Sequence, residues 1–377
     1  MEYNLKDLVE IKYGKNQKHV KNPHGKYPIL GTGGVIDLAD QYLYDKPSVL
    51  IGRKGSIGKV KYIDKPFWTI DTLFYTKINE TKVLPKFLYY KLSMIDFNYY
   101  NEGTTIPSLR TETLYRIKLD LPHLSTQKKV INTLGTIDNK IEINKKIIAN
   151  LEELSQTLFN HWFVDFEFPD KDGNPYKSSG GEMIDSEIGE IPKGWEISKL
   201  DKIINIKSGK RPRNKVNIMD NKNKTPIIGA SKIMGYTSDY LESEPILVMG
   251  RVGTHGVIQR FNNNVWPSDN TFIIKSKFMI YSYFILINID YKSLNRGSTQ
   301  PLLSQKDIKN INIIIPKSDS LIVKYEEITN IYFKEIDVIR DQISYLIELR
   351  DTLLPKLMSG ELEIPDDIEV NSDELSI

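Results

Sequence analysis

The sequence contains no cysteine among its 377 residues. Disulfide scaffolds, thiolate zinc sites, iron–sulfur clusters and cysteine nucleophiles are therefore excluded. The chain also has no stretch near the ~20 consecutive apolar residues that a membrane-spanning helix needs, and residues 1–9 carry no apolar signal core. These absences favour a cytoplasmic protein. The length predicts two or three domains, and the 40% of hydrophobic residues suffice for their cores.

One pattern occurs twice along the chain. The segment Val49–Gly58 returns as Leu247–Gly256, with three glycines and an arginine at unchanged spacing. Trp68 recurs as Trp266, and we interpret both tryptophans as aromatic core anchors. The offset between the copies predicts two homologous repeats of roughly 195 residues.

Each repeat changes character at a proline. Before Pro122 and Pro316, short β-branched and aromatic runs separated by Gly, Asn and Pro predict strands and loops, with one short helix near residues 86–93. After each proline, apolar residues follow alternating spacings of four and three, the heptad pattern of a coiled coil. The predicted seam residues are Val130, Leu134, Ile137, Ile141, Asn144, Ile148, Leu151, Ser155, Leu158 and Trp162, then Tyr325, Thr329, Tyr332, Ile336, Ile339, Ile343, Leu346, Arg350, Leu353 and Leu357.

These patterns predict an α+β fold, with two repeated mixed α/β modules joined and separated by two long helices. The helices would form an antiparallel coiled coil with pseudo-two-fold symmetry; alternatively, each is buried along its own globular domain. Ser125 is a candidate N-cap of the first helix, and Gly360 is a candidate stop for the second. The predicted segments are a first module at 1–122, a central helix at 123–165, a linker loop at 166–196, a second module at 197–316, a C-terminal helix at 317–360 and an acidic tail at 361–377.

The overall net charge of +2 hides a segregation of charge along the chain. Residues 1–122 and 201–316 carry net charges of +6 and +9, whereas residues 123–200 and 317–377 carry −4 and −9. Such a distribution is typical of two nucleic-acid-binding modules held on acidic spacers. The alternative is that solvated helices are often acidic and the basic modules are ordinary.

A basic loop follows the opening strand of each repeat, the first basic loop at 15–26 and the second basic loop at 210–224. Loops of this kind neutralise phosphates and contact base edges. Arg53 and Arg251 are shared by the repeats, which suits phosphate contact or structural pairing, whereas differing positions such as Lys54 are expected to discriminate between bases. The predicted DNA-binding residues are Lys15, Lys18, Arg53, Lys54, Arg110, Lys210, Arg211, Arg213, Arg251, His255 and Arg296.

Signatures of catalysis are missing from the sequence. The segment Asn174-Pro175-Tyr176 lacks the second proline of an amino-methyltransferase motif, and no glycine-rich strand-to-helix turn suits a nucleotide cofactor. Asp71, Glu80 and Lys82 loosely imitate a nuclease metal site. Glu80 aligns with Phe278 in the second repeat, however, which favours a solvated turn. The five histidines show no ligand spacing, so no bound metal is expected.

Over nearly its whole length the chain resembles the specificity subunits of type I restriction-modification systems. The order of module, long helix, module and long helix is that of the family. The motifs that carry the resemblance are Leu151–Phe159 and Trp162–Phe166 at the end of the first helix, Leu349–Glu361 at the end of the second, and Pro175–Gly181 with Ile191–Trp195 in the linker.

The resemblance implies that each module is a target recognition domain that binds one half of a split double-stranded DNA site. The helices would set the distance between the halves and dock two methyltransferase subunits. S-adenosylmethionine would then belong to those subunits, and ATP, Mg²⁺ and cleavage to restriction subunits. This chain would bind no cofactor and catalyse no reaction.

The ends of the two helices are the predicted partner-docking surface. Their apolar and aromatic side chains exceed what one seam partner can cover, and such patches mark interfaces. The alternative is a local core under the linker. The predicted docking residues are Leu158, Phe159, Trp162, Phe163, Leu353 and Leu357.

Two other functions stay open. One is a single-chain site-specific nuclease or methyltransferase, which activity of the purified chain with metal or methyl donor would reveal. The other is a bivalent scaffold for proteins or RNA, which competition by duplex DNA and the salt dependence of binding would distinguish. Because the two basic loops differ, we expect two different half-sites.

Overall fold

The computed structural model describes residues 1–252, 256–291, 293–294 and 302–365. The elements of the first repeat are β1 (Glu2–Asn4), α1 (Leu5–Leu8), β2 (Val9–Tyr13), β3 (Tyr27–Gly31), β4 (Gly34–Ala39), β5 (Ser48–Gly52), β6 (Val60–Ile63), β7 (Trp68–Thr69), β8 (Leu73–Ile78), α2 (Pro85–Ser93), α3 (Thr111–Tyr115), β9 (Lys118–Asp120) and α4 (Leu124–Phe159). A 3₁₀ turn lies at Phe97–Tyr100, and a π-helical turn at Asn160–Val164 follows α4.

The elements of the second repeat are β10 (Met183–Ile184), β11 (Ile191–Pro192), β12 (Trp195–Lys199), β13 (Ile204–Ser208), β14 (Thr225–Ile228), β15 (Ile233–Thr237), β16 (Ile246–Gly250), β17 (Ile258–Phe261), β18 (Trp266–Pro267), β19 (Thr271–Ser276), α5 (Met279–Ile287), α6 (Gln305–Lys309), β20 (Asn312–Pro316) and α7 (Ser320–Ser359). A 3₁₀ turn lies at Leu200–Lys202. No helix in the described ranges is both long and apolar enough to cross a membrane.

The two repeats have the same sheet topology. In the first repeat, four strands lie in the order β2-β8-β5-β6, three lie in the order β4-β3-β7, and β1 pairs with β9. The second repeat has β13-β19-β16-β17, β15-β14-β18 and β12 with β20. The four-stranded sheets are antiparallel throughout. The strand that carries each repeated tryptophan runs parallel to its neighbour. The predicted internal repeat is therefore confirmed at the level of strand order.

The central strands β5 and β16 are buried along their whole length. Val49 and Ile51 contribute to one hydrophobic cluster and Leu50 to another, so β5 is covered on both faces. A strand in this position reads as a continuous apolar run rather than an alternating one. Its buried Ser48 is satisfied, because the hydroxyl donates to the Thr76 carbonyl at 2.7 Å.

The chain divides into two compact units. Compact unit 1 comprises residues 1–145 and the residues from 341 onward, and compact unit 2 comprises residues 146–340. Helices α4 and α7 each contribute one part to each unit. Each unit therefore contains one strand-rich module and a pair of helical segments.

The boundaries of the long helices differ little from the predicted ones. Helix α4 begins at Leu124, so Ser125 lies inside the first turn and the prediction that it caps the helix is wrong. Helix α7 ends at Ser359 and is followed by Gly360 at φ +78°. This left-handed conformation is the usual glycine stop of a helix, as predicted for Gly360. The short helix predicted near residues 86–93 is α2.

All the predicted seam residues are buried or half-buried, which confirms the heptad pattern. In compact unit 1, the Arg350 guanidinium lies 3.4 Å from the Asp138 carboxylate, and the Asn144 amide donates to Gln342 at 3.3 Å. The residue numbers fall on one helix as they rise on the other, so these segments are antiparallel. The two polar seam positions are thus paired rather than left as isolated buried groups.

Compact unit 2 contains its own antiparallel helical pair. The Tyr325 hydroxyl donates to the carbonyl of Ser155 at 3.0 Å, and Arg340 pairs with Glu152 at 2.9 Å. Tyr325 is fully buried, so its hydrogen bond satisfies a hydroxyl that burial would otherwise leave without a partner.

Residues 166–196, predicted as a linker loop, contain ordered structure. Strand β10 pairs with β11, and β12 begins at Trp195 inside the predicted loop and pairs with β20. Phe168 stacks on Tyr176 and on Trp195, with ring centroids 4.6 and 5.4 Å apart. The Gly, Ser and Asp residues of this segment predict a loop, but its few aromatic residues build a small core.

Candidate nucleic-acid interface

The first basic loop leaves the sheet at a point where two backbones touch. A Cβ at Gly14 would lie 2.0 Å from the carbonyl oxygen of Ile70, so only glycine fits there. The next residue, Lys15, is held at both backbone atoms: its N–H donates to Thr69 at 2.8 Å, and its carbonyl accepts the Trp68 indole N–H at 3.0 Å. Its side chain is exposed. The loop is therefore fixed where its first cation points to solvent.

The second basic loop begins in the same way. A Cβ at Gly209 would lie 2.2 Å from the Ser268 carbonyl oxygen. Lys210 donates its N–H to Pro267 at 3.0 Å and accepts the Trp266 indole N–H at 2.7 Å. Both tryptophans are only 9% exposed, so their predicted core role is confirmed. The sequence analysis did not predict that their indole N–H groups also hold the start of each basic loop, although the tryptophan and the basic loop recur together in both repeats.

The glycine-rich segment 52–58 is a tight turn between β5 and β6, with Gly55 and Gly58 at φ +72° and +71°. Arg53 in this turn is half-buried. Its guanidinium lies 4.8 Å from the centroid of Tyr13 and donates to the backbone carbonyl of Asp71 at 3.0 Å. In the second repeat, Arg251 lies 6.0 Å from the Phe272 centroid. These contacts favour structural pairing, one of the two alternatives given above for the shared arginines, over phosphate contact.

Residues 108–109 of the first repeat lie against this glycine-rich turn. The Leu109 N–H donates to the Arg53 carbonyl at 2.9 Å, and Lys54 forms an isolated β-bridge with Ser108. The second repeat repeats the first contact, with a bond of 3.0 Å from Leu303 to Arg251. Lys54 and the following turn residues are therefore held on a scaffold, with the Lys54 side chain exposed.

Other predicted DNA-binding residues differ in exposure and in ion pairing. Lys18 is exposed, as predicted. Arg110 is 70% exposed but forms an ion pair with Glu102 at 3.1 Å, which partly neutralises it. His255 and Arg296 lie outside the described residues.

Lys210, Arg211 and Arg213 are brought together around a surface concavity of about 510 Å³. We call it the basic concavity; its other lining residues are Ser238, Asp239, Tyr240, Leu241 and Trp266. Beside it, the buried Glu242 pairs with Lys207 and, at 2.9 Å, with Lys275. Burial by itself would raise the pKa of Glu242. The ammonium groups of Lys207 and Lys275 together lower it by more than burial raises it, so the pKa of Glu242 lies below its usual value. Those two lysines are thereby engaged within the protein.

The predicted partner-docking residues do not form a surface, so this prediction is wrong. Phe159, Trp162 and Phe163 are 4 to 6% exposed and belong to the core of compact unit 2. Phe163 lies 4.7 Å from the Tyr281 ring and 5.3 Å from Tyr325, measured between centroids. The π-helical turn after α4 carries Trp162 and Phe163 into this core. The others are also packed in core clusters: Leu158 in compact unit 2, and Leu353 and Leu357 in compact unit 1.

The helices of compact unit 2 expose other apolar side chains that the sequence analysis did not single out. Ile331 and Val338 on α7 are 68% and 52% exposed, and Ile147 and Leu154 on α4 are 38% and 49% exposed. Each pair is separated by seven residues, so each lies on one face of its helix. We call these four residues the apolar flank. Among the described residues, no cluster of three or more His, Asp or Glu side chains is placed to hold a metal ion.

Comparison with known proteins identifies the family. A family model described as the type I restriction modification DNA specificity domain matches residues 1–153 and, a second time, residues 192–332. The specificity subunit of the type I restriction enzyme MjaIX from Methanocaldococcus jannaschii is 27% identical over 353 residues, which cover 85% of this chain and 79% of that protein. The HindI specificity subunit from Haemophilus influenzae is 22% identical and covers 81% of this chain and 84% of its own length.

A solved structure supports the fold. The crystal structure of a type I restriction-modification S subunit from M. genitalium superposes with a TM-score of 0.59 at 20% identity, covering 98% of this chain and 96% of that chain. The two matches of the family model fall on the two repeats and together cover more than half of the sequence. The chain therefore belongs to the family of type I restriction-modification DNA specificity subunits, as its sequence motifs predicted.

Proposed function

We propose that this chain is a non-catalytic reader of an asymmetric, bipartite DNA site, in which each repeat recognises one half-site. One observation carries the proposal. The two repeats present basic loops clamped at the same lysine position by the same tryptophan, Lys15 by Trp68 and Lys210 by Trp266. The side chains that follow the clamp differ between the loops. A shared scaffold with different exposed residues suits two modules that dock alike and read different bases.

The helices supply the second part of the proposal, the spacing between the half-sites. Helices α4 and α7 have 36 and 40 residues, or about 54 and 60 Å at 1.5 Å per residue. Half-sites read from one face of DNA are separated by about one helical turn, roughly 34 to 36 Å. Rigid helices of this length would fix the number of base pairs that stay unread.

Partner subunits supply the chemistry in this proposal. Two methyltransferase subunits would bind S-adenosylmethionine and methylate the site, and restriction subunits would use ATP and Mg²⁺ to cleave DNA. This chain would hold none of these cofactors. We place methyltransferase docking at the apolar flank, since apolar side chains exposed on both long helices favour a protein partner.

Methylation mapping tests the proposal. Genomic DNA is sequenced with detection of modified bases from cells that carry this gene and a cognate methyltransferase gene, and from the same cells with this gene deleted. The expected result is a split, asymmetric motif with a fixed unread gap that disappears on deletion and returns on complementation.

Two outcomes would contradict the proposal. An unchanged methylome would favour a bivalent scaffold for proteins or RNA. Methyl transfer or DNA cleavage by the purified chain alone, supplied with S-adenosylmethionine or Mg²⁺, would show that the chain is itself an enzyme.

A further inference from the structure

The basic concavity of the second repeat is lined by charged side chains without ion-pair partners among the described residues, on backbone held by hydrogen bonds. Lys210, Arg211 and Arg213 are exposed and line it together with Asp239. Within the part of the chain that the structure describes, none of these four side chains forms an ion pair with another charge. Their hydrogen-bonding groups are therefore available to a ligand in the concavity.

The frame of the concavity comes from three elements. Trp266 on β18 forms part of the wall and holds the Lys210 carbonyl at 2.7 Å. Asp239 and Tyr240 follow β15, where the Thr237 hydroxyl donates to the Asn214 side chain of the basic loop. These contacts tie the loop to the sheet on two sides. A side chain on such a frame can discriminate between ligands, because its position is set before binding.

Comparison with the first repeat separates shared from differing positions. Lys15 matches Lys210, Trp68 matches Trp266 and Tyr42 matches Tyr240. Both tyrosines are exposed, at 46% and 56%, so core packing does not explain why both repeats have a tyrosine here. An exposed residue kept in both copies suits a contact that is the same for any sequence, such as the sugar-phosphate backbone.

The differing positions are those with base-reading chemistry. Asn16 stands where the second repeat has Arg211, Lys18 stands opposite Arg213, and Gln41 stands opposite Asp239. Asp239, like the two arginines, lines the concavity. Arginine donates in a fork to guanine O6 and N7, whereas a carboxylate accepts from the cytosine amino group. Asparagine and glutamine favour adenine.

We propose that the basic concavity is the base-reading site of the second repeat, with Arg211 and Arg213 reading guanine and Asp239 reading cytosine. Lys210 and Tyr240 contact the DNA backbone at its edge. This inference rests on the function proposed above and adds which side chains discriminate and which bases they select. The half-site of the second repeat therefore contains G·C pairs at the positions that these residues reach.

The test is methylation mapping with the full-length chain and its methyltransferase partner in cells. Arg211→Gln and Arg213→Gln are compared with Lys222→Gln, an exposed cation of the same loop that does not line the concavity. Each arginine variant should lower methylation of the native motif roughly 10- to 100-fold relative to sites with adenine at one guanine of the second half-site. The first half-site and Lys222→Gln should keep the original preference.

The failures are distinguishable. If the unaltered chain yields no split motif, the proposed function fails, and the base-reading assignment that rests on it is overturned as well. If the split motif exists but the arginine variants leave the preference at every position unchanged, or weaken both half-sites equally, the residues contact phosphate and the base-reading assignment is overturned.

Discussion

At the residue scale, Glu242 illustrates how one position differs in chemistry between the repeats. In the second repeat its carboxylate is 5% exposed and pairs with Lys207 and Lys275. The first repeat has Tyr44 at this position, and Lys77 lies 5.9 Å from its ring centroid. Lys275 and Lys77 occupy matching positions in the two repeats. The lysine ammonium therefore meets a buried carboxylate in the second repeat and an aromatic ring in the first.

Glu242→Gln should destabilise the protein by about 1 to 2 kcal/mol at neutral pH, since it removes the partner of two lysines that are partly exposed. The pKa of Glu242 is lowered in the folded state, so its contribution is present above the unfolded pKa and is lost as pH falls through the folded pKa. Urea unfolding at several pH values measures this difference. The control is Glu244→Gln, whose 73% exposed carboxylate also pairs with Lys275 and should change stability by less than about 0.5 kcal/mol.

Trp266 on β18 holds the second basic loop through its hydrogen bond to the Lys210 carbonyl. Trp266→Phe keeps most of the apolar area but removes the N–H that holds Lys210, a hydrogen bond worth about 1 kcal/mol. We expect faster amide hydrogen exchange at Lys210 and the residues after it, and weaker methylation through the second half-site alone. Trp68→Phe should have the corresponding effect on the first half-site. An unchanged exchange rate in both loops would show that the tryptophans contribute only core packing.

At the element scale, a side chain of a long helix holds the start of a short helix in each repeat. The short helices are α2 and α5, and the side chain that holds each one differs between the repeats. Glu326 on α7 accepts the backbone N–H groups of Ile280 and Tyr281 in the first turn of α5. Gln127 on α4 accepts the Leu84 N–H beside α2 at 2.9 Å. Each residue satisfies N–H donors that a helix leaves unpaired at its start.

Ionisation of the buried Glu326 carboxyl should lower the stability of the second repeat. Burial raises the pKa of Glu326 in the folded state, with the backbone N–H groups opposing the shift. The stability that it contributes is therefore fully present below the unfolded pKa and is lost as pH rises through the folded pKa. Glu326→Gln should raise stability at pH 8 by about 1 kcal/mol, and the advantage should vanish below pH ~4.

Gln127→Glu is the matched control for this prediction. The Gln127 Nε2 group donates to the carbonyls of Lys82 and Pro122, so a carboxylate there would face two acceptors. We expect a loss of about 2 to 3 kcal/mol. Denaturant titrations of both variants at pH 4 and pH 8 measure the effects. Equal pH dependence of Glu326→Gln and the unaltered chain would contradict the assignment.

The apolar flank is also a property of the helices. Ile331 and Val338 on α7 lie seven residues apart, so both belong to one face of that helix. Ile331→Ser combined with Val338→Ser should reduce capture of the methyltransferase subunit at least tenfold, because each exposed apolar side chain lost from an interface costs about 1 kcal/mol or more. Affinity measured with purified subunits tests this. Stability should be unchanged, whereas Leu158→Asp should unfold compact unit 2 because Leu158 packs against its core.

At the scale of the whole molecule, sequence period and sequence repetition predicted the long helices, the seam and the duplicated topology. These features depend on residues that are close in sequence or matched by offset, such as the series from Val130 to Trp162. Strand order could not be predicted, because β8 joins β2 to β5 through contacts between distant segments. The docking prediction failed for the same reason. The heptad pattern shows that Trp162 and Phe163 are apolar, but only the packing of Trp162 against Tyr325 on α7 and of Phe163 against Tyr281 on α5 shows that they are covered.

Exchange of one module tests whether the molecule consists of two independent readers. Replacing residues 1–122 with the module of another family member should change the first half-site and leave the second half-site and the gap unchanged in methylation mapping. A change in both half-sites would contradict independent reading.

Compact unit 1 sets a condition on that exchange. Tyr90 donates to Asp138 on α4 at 2.5 Å, and the Lys91 ammonium donates to the Met358 carbonyl on α7 at 3.1 Å. Both acceptors stay behind when residues 1–122 are replaced. An incoming module that lacks these two donors would leave Asp138 with only its Arg350 partner and the Met358 carbonyl without the Lys91 ammonium, at about 1 to 3 kcal/mol for each lost hydrogen bond. Restoring tyrosine and lysine at the two positions should therefore rescue a poorly folding exchange without altering the half-site that the new module reads.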